Sequence, residues 1–159
     1  MNKTYLLLGS NMGNSQKQLS KAIEHIEKQI GKITRRSGLY STAAWGNTDQ
    51  PDFLNQVIIV QTSLTAAQTM QTILGIEKKL GRLRTVKNAP RIIDIDILFF
   101  NKEIIDEEQL TVPHPQIQNR RFVLVPLNEL APNLKHPVLG KTIHHLFIHC
   151  PDKLNVKKF

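Results

Sequence analysis

The sequence predicts an α+β fold in which an antiparallel sheet carries helices on it and long functional loops run between the elements. Three observations lead there. Four short runs rich in apolar and β-branched residues, at 4–8, 32–40, 56–62 and 92–100, have the length and composition of strands. Two stretches, 15–30 and 65–80, repeat their apolar residues at helical spacing. The resulting order of strand, helix, strand, strand, helix, strand is that of the split βαβ of ferredoxin-like folds, whose two helices lie on one face of an antiparallel sheet.

Each element has its own signals. Residues 4–8 are a buried strand running into a loop at 9–14. Gly9 and Gly13 read there as turn glycines, because no Lys-Ser or Lys-Thr follows to make a phosphate loop. Ser15 and Gln18 have the spacing of a capping box, Leu19, Ala22, Ile23, Ile26 and Ile30 form the buried stripe of a helix, and Gly31 stops it. One strand is expected over 32–40. Residues 41–55, STAAWGNTDQPDFLN, have no period yet hold the single Trp45 and Phe53. A loop of that length in a compact chain tends to be functional. Trp45 and Phe53 either pin the loop to the core or, with Asn55, form a slot for a flat heterocycle.

After the strand at 56–62, Thr65 and Gln68 make a second capping box for a helix that reaches Leu80 and ends at Gly81. Ala67, Met70, Ile73, Leu74, Ile76 and Leu80 are its apolar stripe, and Glu77 falls within it. A carboxylate so placed either takes a partner, such as an arginine downstream or a ligand donor, or reaches solvent at the helix end. Past the strand at 92–100 come a turn at 101–103, a short return at 103–105, and a loop at 110–121 in which Pro113 and Pro115 rigidly present His114. Helices are expected at 122–130 and 142–149. His145 and His149 stand at i, i+4 on the latter, without the intervening Glu of a zincin.

With 159 residues the chain reads as one domain, 1–159, able to bury a core without staples. One cysteine, Cys150, and no signal peptide or long apolar run point to a soluble cytoplasmic protein with no membrane partner. The net charge of +8 favours anionic partners: a nucleotide, a nucleic acid or an acidic metabolite.

The chemistry concentrates at 87–100, KNAPRIIDIDILFF. Alternation along a strand puts Asp94 and Asp96 on one face, about 7 Å apart, with Ile93, Ile95 and Ile97 on the other. Paired carboxylates at that spacing suit one hard cation, or a pair, with coordination left over for phosphate and water. Read alone they are also ordinary acids on the wet face of a strand. Arg82, Arg84, Lys87 and Arg91 lie just upstream, and acids bordered by cations suit a magnesium-bound polyphosphate.

Taken together, several motifs in order resemble the 6-hydroxymethyl-7,8-dihydropterin pyrophosphokinase family over essentially the whole chain. They are Gly9-Ser10-Asn11, the loop from Thr42 through Asp49-Gln50-Pro51-Asp52-Phe53-Leu54-Asn55, Gly81-Arg82, residues 87–98, and Val112-Pro113-His114-Pro115 followed by Arg120 and Phe122. The resemblance implies transfer of pyrophosphate from ATP to the pterin hydroxymethyl group, with release of AMP, in folate biosynthesis. Carried over, Asp94 and Asp96 would bind two Mg2+ ions. Phe53 and Phe122 would stack on the pterin, Asn55 and the backbone at Thr42 and Ala43 would read its edge, and Trp45 would help close the pocket. Glu77, Arg84, Arg91, Ile97, Thr111, His114 and Arg120 match ATP-binding positions, and Arg82 and Arg91 match the catalytic loop. A cytoplasmic monomer acting on ATP and the pterin is implied, with no nucleic acid as partner. The chain departs from the family pattern at Ala43-Ala44, where prolines are common, at Leu74 and Gln109, and in a short basic loop without Trp. Two other readings compete: an RNA-binding ferredoxin-like sheet, which lacks the RNP aromatics, and a nucleotidyltransferase, which would release pyrophosphate.

Overall fold

The computed structural model describes residues 1–43, 51–82 and 91–159. Its elements run β1 (Asn2–Ser10), α1 (Ser15–Gln29), β2 (Gly31–Arg36), β3 (Tyr40–Thr42), β4 (Phe53–Thr62), α2 (Ala66–Lys79), β5 (Asp94–Phe100), β6 (Ile105–Glu107), β7 (Leu110–Val112), a 3-10 turn (Ile117–Asn119), α3 (Arg121–Leu130), α4 (Ile143–Ile148) and β8 (Val156–Lys158). The main sheet has the order β5-β1-β4-β3-β8, with β2 also on β4, and all its pairings are antiparallel. β6 and β7 form a separate hairpin.

This is the expected architecture, with α1 and α2 on one face of the sheet. Leu19, Ala22, Ile23 and Ile26 of α1 and Ile73 and Ile76 of α2 meet Leu6, Leu8, Ile58, Val60, Ile95 and Ile97 of the strands. The other face is covered by α3 and α4, whose Val123, Leu124, Leu127 and Leu146 meet Tyr5, Leu7, Val57, Ile59 and Phe99. Central strands buried on both faces read as continuous apolar runs, and TYLLL and QVIIV are such runs.

Several boundaries differ from expectation for local reasons. The strand expected over 32–40 is two strands, because Ser37 Oγ accepts the Val57 N–H at 3.0 Å in place of a ladder carbonyl. Gly9 is not a turn glycine: β1 continues through Ser10, and only Gly13 (φ 70°) takes a left-handed turn conformation in that loop. Asn14, not Ser15, caps α1, its side chain accepting from Lys17 N–H at 3.1 Å. The Thr65 and Gln68 capping box is present as read. The stripe of α2 begins at Ala66 instead of Ala67, with Thr69 completing its buried side. β5 begins at Asp94, two residues later than expected, and the return strand is at Ile105–Glu107 rather than 103–105. The loop read over 110–121 contains β7 and the 3-10 turn. No helix among the described residues is long and apolar enough to cross a membrane.

Candidate active site

Leu7, Gly9, Thr42, Ala43, Phe53, Asn55, Arg82, Arg91, Asp94, Asp96, His114, Arg120 and Phe122 line one cavity of about 260 Å³. Strand register explains why these residues meet. Gly9 is paired with Asn55 on β4 and with Asp94 on β5, while Leu7 is paired with Asp96. Side chains directly opposite in an antiparallel sheet share a face, so Asn55, Gly9 and Asp94 form one row across three strands, its outer members about 10 Å apart. The row lies on the face that α3 covers further along, and Phe122, second residue of α3, stands where that cover begins.

The middle of the row has no side chain. A Cβ on Gly9 would come within 2.8 Å of Asn55 Oδ1. Asn55 itself is buried (2% exposed), and its Nδ2 has no hydrogen-bond partner among the described residues. A buried amide donor left unmet costs stability unless a ligand meets it. Phe53 and Phe122, both half-buried, supply aromatic surface on the same cavity.

Charge gathers at the other end of the row. Arg82 Nη1 donates to Glu77 Oε2 at 2.6 Å and to Asp94 Oδ1 at 2.7 Å, and Arg91 Nη1 donates to Asp94 Oδ2 at 3.0 Å. Glu77 Oε2 also accepts the Ile95 N–H at 2.8 Å, which explains the acid inside the α2 stripe: buried, it anchors Arg82 and the head of β5. Burial raises the Glu77 pKa, against the lowering effect of the Ile95 N–H and Arg82. Asp96 is pushed up to about 8, by burial first and then by the charges of Asp94 and Glu77.

His114 is half-buried on the loop after β7. Its N–H donates to Leu98 O at 3.0 Å, and its Nδ1 accepts the Gln116 N–H at 3.1 Å. Burial, then Arg120, lowers its pKa to about 4, so at neutral pH the ring is uncharged with its proton on Nε2.

The structure thus brings together Thr42, Ala43, Phe53, Asn55, Arg82, Arg91, Asp94, Asp96, His114, Arg120 and Phe122. Glu77 is one layer behind, holding Arg82. Ile97 packs its side chain into the core on the α1 and α2 face, and Thr111 is exposed on β7, its Oγ1 donating to Glu107 O at 3.5 Å. Trp45 and Arg84 lie outside the described residues. Sequence reasoning gave no site role to Leu7, Gly9 or Asn11. Buried Asn11 donates from Nδ2 to Pro51 O at 3.1 Å and accepts the Arg91 N–H on Oδ1 at 2.8 Å, tying the ends of two segments to β1. The sequence signals for it are its place in the Gly9-Ser10-Asn11 motif and an Asn near a strand end, neither of which states its role.

A family model described as 7,8-dihydro-6-hydroxymethylpterin-pyrophosphokinase matches residues 5–132. The 2-amino-4-hydroxy-6-hydroxymethyldihydropteridine pyrophosphokinase of Methylorubrum extorquens is 42% identical over 135 residues, covering 84% of this chain and 85% of its own. The protein of the same name from Aquifex aeolicus is 41% identical over 143 residues, covering 90% of this chain and 89% of its own. Among solved structures, wild-type Plasmodium falciparum HPPK-DHPS superposes with a TM-score of 0.72 at 20% identity, over 92% of this chain and 44% of that longer one. That likeness concerns the fold.

Proposed function

The chain belongs to the 7,8-dihydro-6-hydroxymethylpterin-pyrophosphokinase family, and on that premise we propose that it transfers the pyrophosphoryl group of ATP to 6-hydroxymethyl-7,8-dihydropterin, releasing AMP, in folate biosynthesis. The observation that carries this reading is the row Asn55, Gly9, Asp94, which sets an unmet amide donor and a cluster of carboxylates and arginines at opposite ends of one cavity. A flat heterocycle fits at one end and a polyphosphate at the other.

At the heterocycle end, Phe53 and Phe122 stack on the pterin. Asn55 Nδ2 and the backbone of Thr42 and Ala43 read its edge, and Gly9 leaves room for the ring. Trp45, outside the described residues, would help close this side by the family pattern.

At the phosphate end, Asp94 and Asp96 suit Mg2+: both are hard oxygen donors on one face of β5, lining the same cavity. Asp94 and Asp96 would hold the two ions together with phosphate and water oxygens. When bound, the ions neutralise charge on the triphosphate. Arg82 and Arg91, now paired with Asp94, gain phosphate oxygens as alternative acceptors, and Arg120 and the Nε2–H of His114 add two more donors. Glu77 positions Arg82. A nucleotide role for Arg84, Ile97 and Thr111 rests on the family pattern, since Ile97 packs into the opposite face, Thr111 is exposed on β7 and Arg84 lies outside the described residues.

In the reaction the pterin hydroxymethyl oxygen bonds to the β-phosphorus and gives up its proton to water, and the bond from that phosphorus to the bridging oxygen of AMP breaks. Negative charge grows on that leaving oxygen, where Arg82 and Arg91 stabilise it. The residues supply alignment and charge more than covalent chemistry. The enzyme acts as a cytoplasmic monomer with neither nucleic acid nor membrane as partner.

Product analysis tests the reading directly. Protein incubated with ATP, Mg2+ and 6-hydroxymethyl-7,8-dihydropterin should yield AMP and pterin pyrophosphate in equal amounts. Free pyrophosphate with a nucleotidyl product would assign nucleotidyl transfer instead, and no product from protein that binds ATP would reject the activity.

A further inference from the structure

We propose that the C-terminal residues 152–159 hold the two walls of the pterin slot in register, and that Asp152 is the positioning residue of this brace. The inference rests on reading the cavity around Asn55 as that slot.

One wall is the end of β3, where Thr42 and Ala43 line the cavity. β3 has only three residues and leads directly into the segment at 44–50. On its inner side it pairs with β4. On its outer side β8 pairs with all three of its residues, Tyr40 with Lys158, Ser41 with Lys157 and Thr42 with Val156. Two contacts extend the pairing beyond the ladder: Thr42 Oγ1 donates to Asn155 O at 3.3 Å, and the Phe159 N–H donates to Leu39 O at 2.8 Å. Without β8, this short strand would be the open edge of the sheet, held from one side only.

The other wall is Phe122, at the start of α3. Arg120, at the N-cap position, makes no side-chain cap. The helix is capped from a distance: the Arg121 N–H, adjoining Phe122, donates to Asp152 Oδ2 at 2.9 Å. The other oxygen of the same carboxylate accepts the Leu154 N–H at 2.9 Å, fixing the turn from which the chain enters β8. Asp152 is 9% exposed, and its negative charge suits a helix N-terminus. A single carboxylate therefore joins the helix that carries Phe122 to the strand that braces Thr42. The ATP end of the cavity is built mainly on β5, Arg82 and His114, and among the described residues only Arg120, which precedes the capped N–H of Arg121, ties it to residues 152–159.

Two variants separate positioning from general support. Asp152→Asn keeps the size of the side chain, but one amide oxygen cannot serve both N–H groups at the positions the two carboxylate oxygens occupy. A chain ending at Asn155 removes β8 and leaves Asp152 in place. Calorimetric titration with 6-hydroxymethyl-7,8-dihydropterin should show about tenfold weaker binding in each variant. ATP affinity should fall much less than pterin affinity, since Arg120 alone links that end to the brace, and kcat at saturating pterin should stay near the wild-type level. Cooperative unfolding with wild-type pterin affinity in Asp152→Asn would overturn the proposal, as would equal losses of pterin and ATP affinity, which mean mere structural support. Should the shortened chain fail to unfold cooperatively, Asp152→Asn decides alone. If the wild-type protein itself binds no pterin, the reading of the slot fails, and this inference with it.

Discussion

A methyl group at position 9 would stand 2.8 Å from Asn55 Oδ1, a distance that two unbonded heavy atoms do not tolerate, so Gly9→Ala must displace the Asn55 amide. The backbone of β1 need not move, since position 9 is in extended strand. The expected result is pterin binding weakened by about tenfold or more with ATP binding intact, read by calorimetry. Unchanged pterin affinity would remove Asn55 from substrate recognition. His114 gives a second outcome at this scale. Its folded pKa, about 4, lies below its ordinary value, so the folded protein binds the proton less readily than the unfolded chain. The stability this confers is fully present above pH 6.5 and is lost as pH falls toward 4. Arg120 and Asp94 are the charges acting on it, in opposite directions. Glu77 and Asp96, with raised pKa values, favour the folded state in acid and lose that contribution as pH rises, so His114 is isolated only by difference. Thermal unfolding of His114→Gln should therefore lose less stability than wild type between pH 6.5 and 4. Parallel curves for the two proteins would place the neutral ring elsewhere.

At the scale of elements, what was legible in the sequence is what local pattern determines. The apolar runs of β1 and β4, the stripe and capping box of α2, and the alternation that puts Asp94 and Asp96 on one face are properties of neighbouring residues. Long-range contacts decided the rest. The division of residues 32–40 depends on Ser37 meeting Val57, twenty positions away. The downstream arginine offered as a partner for Glu77 is Arg82, but its second partner, the Ile95 N–H, became visible only when β5 was placed beside α2. Gly9 read as punctuation because glycine ordinarily is; its place between Asn55 and Asp94 is a consequence of register, which no local pattern states. β8 is the extreme case. VKK has no strand signature beyond one valine, and it pairs because residues 150–155 return the chain to the exposed edge of β3. Most site residues recognised from motifs are aromatic or charged; Asn55 reads as an amide beside the aromatics of its loop, and Thr42 and Ala43 come only with the whole-chain resemblance. Those missed, Gly9 and Asn11, act by shape and by backbone hydrogen bonds.

For the molecule as a whole, the decisive fact is that both apolar layers share one sheet. β1 sends Leu6 and Leu8 toward α1 and α2 and sends Tyr5 and Leu7 toward α3 and α4; β4 divides Ile58 and Val60 from Val57 and Ile59 in the same way. Releasing either helical layer would expose one face of these strands, so the two layers should unfold together. Ile73 of α2 and Leu127 of α3, both 0% exposed, probe them from opposite sides. Ile73→Ala and Leu127→Ala should each cost about 2–5 kcal/mol. Each should shift a single denaturant transition to lower concentration with its slope unchanged, because the surface exposed on unfolding is nearly the same. A biphasic curve for Leu127→Ala alone would mean that the α3 and α4 layer comes away by itself. The site draws that distinction sharply. Asn55, Gly9, Asp94 and Asp96 belong to the sheet, whereas Phe122 and the cap at Asp152 belong to the second layer. Under one cooperative transition, pterin and ATP binding should be lost at the same denaturant concentration as the fold. Under two, pterin binding should fail first and ATP binding should weaken less, since the pterin end has Phe122 as a wall in that layer while the ATP end has only Arg120 at its edge.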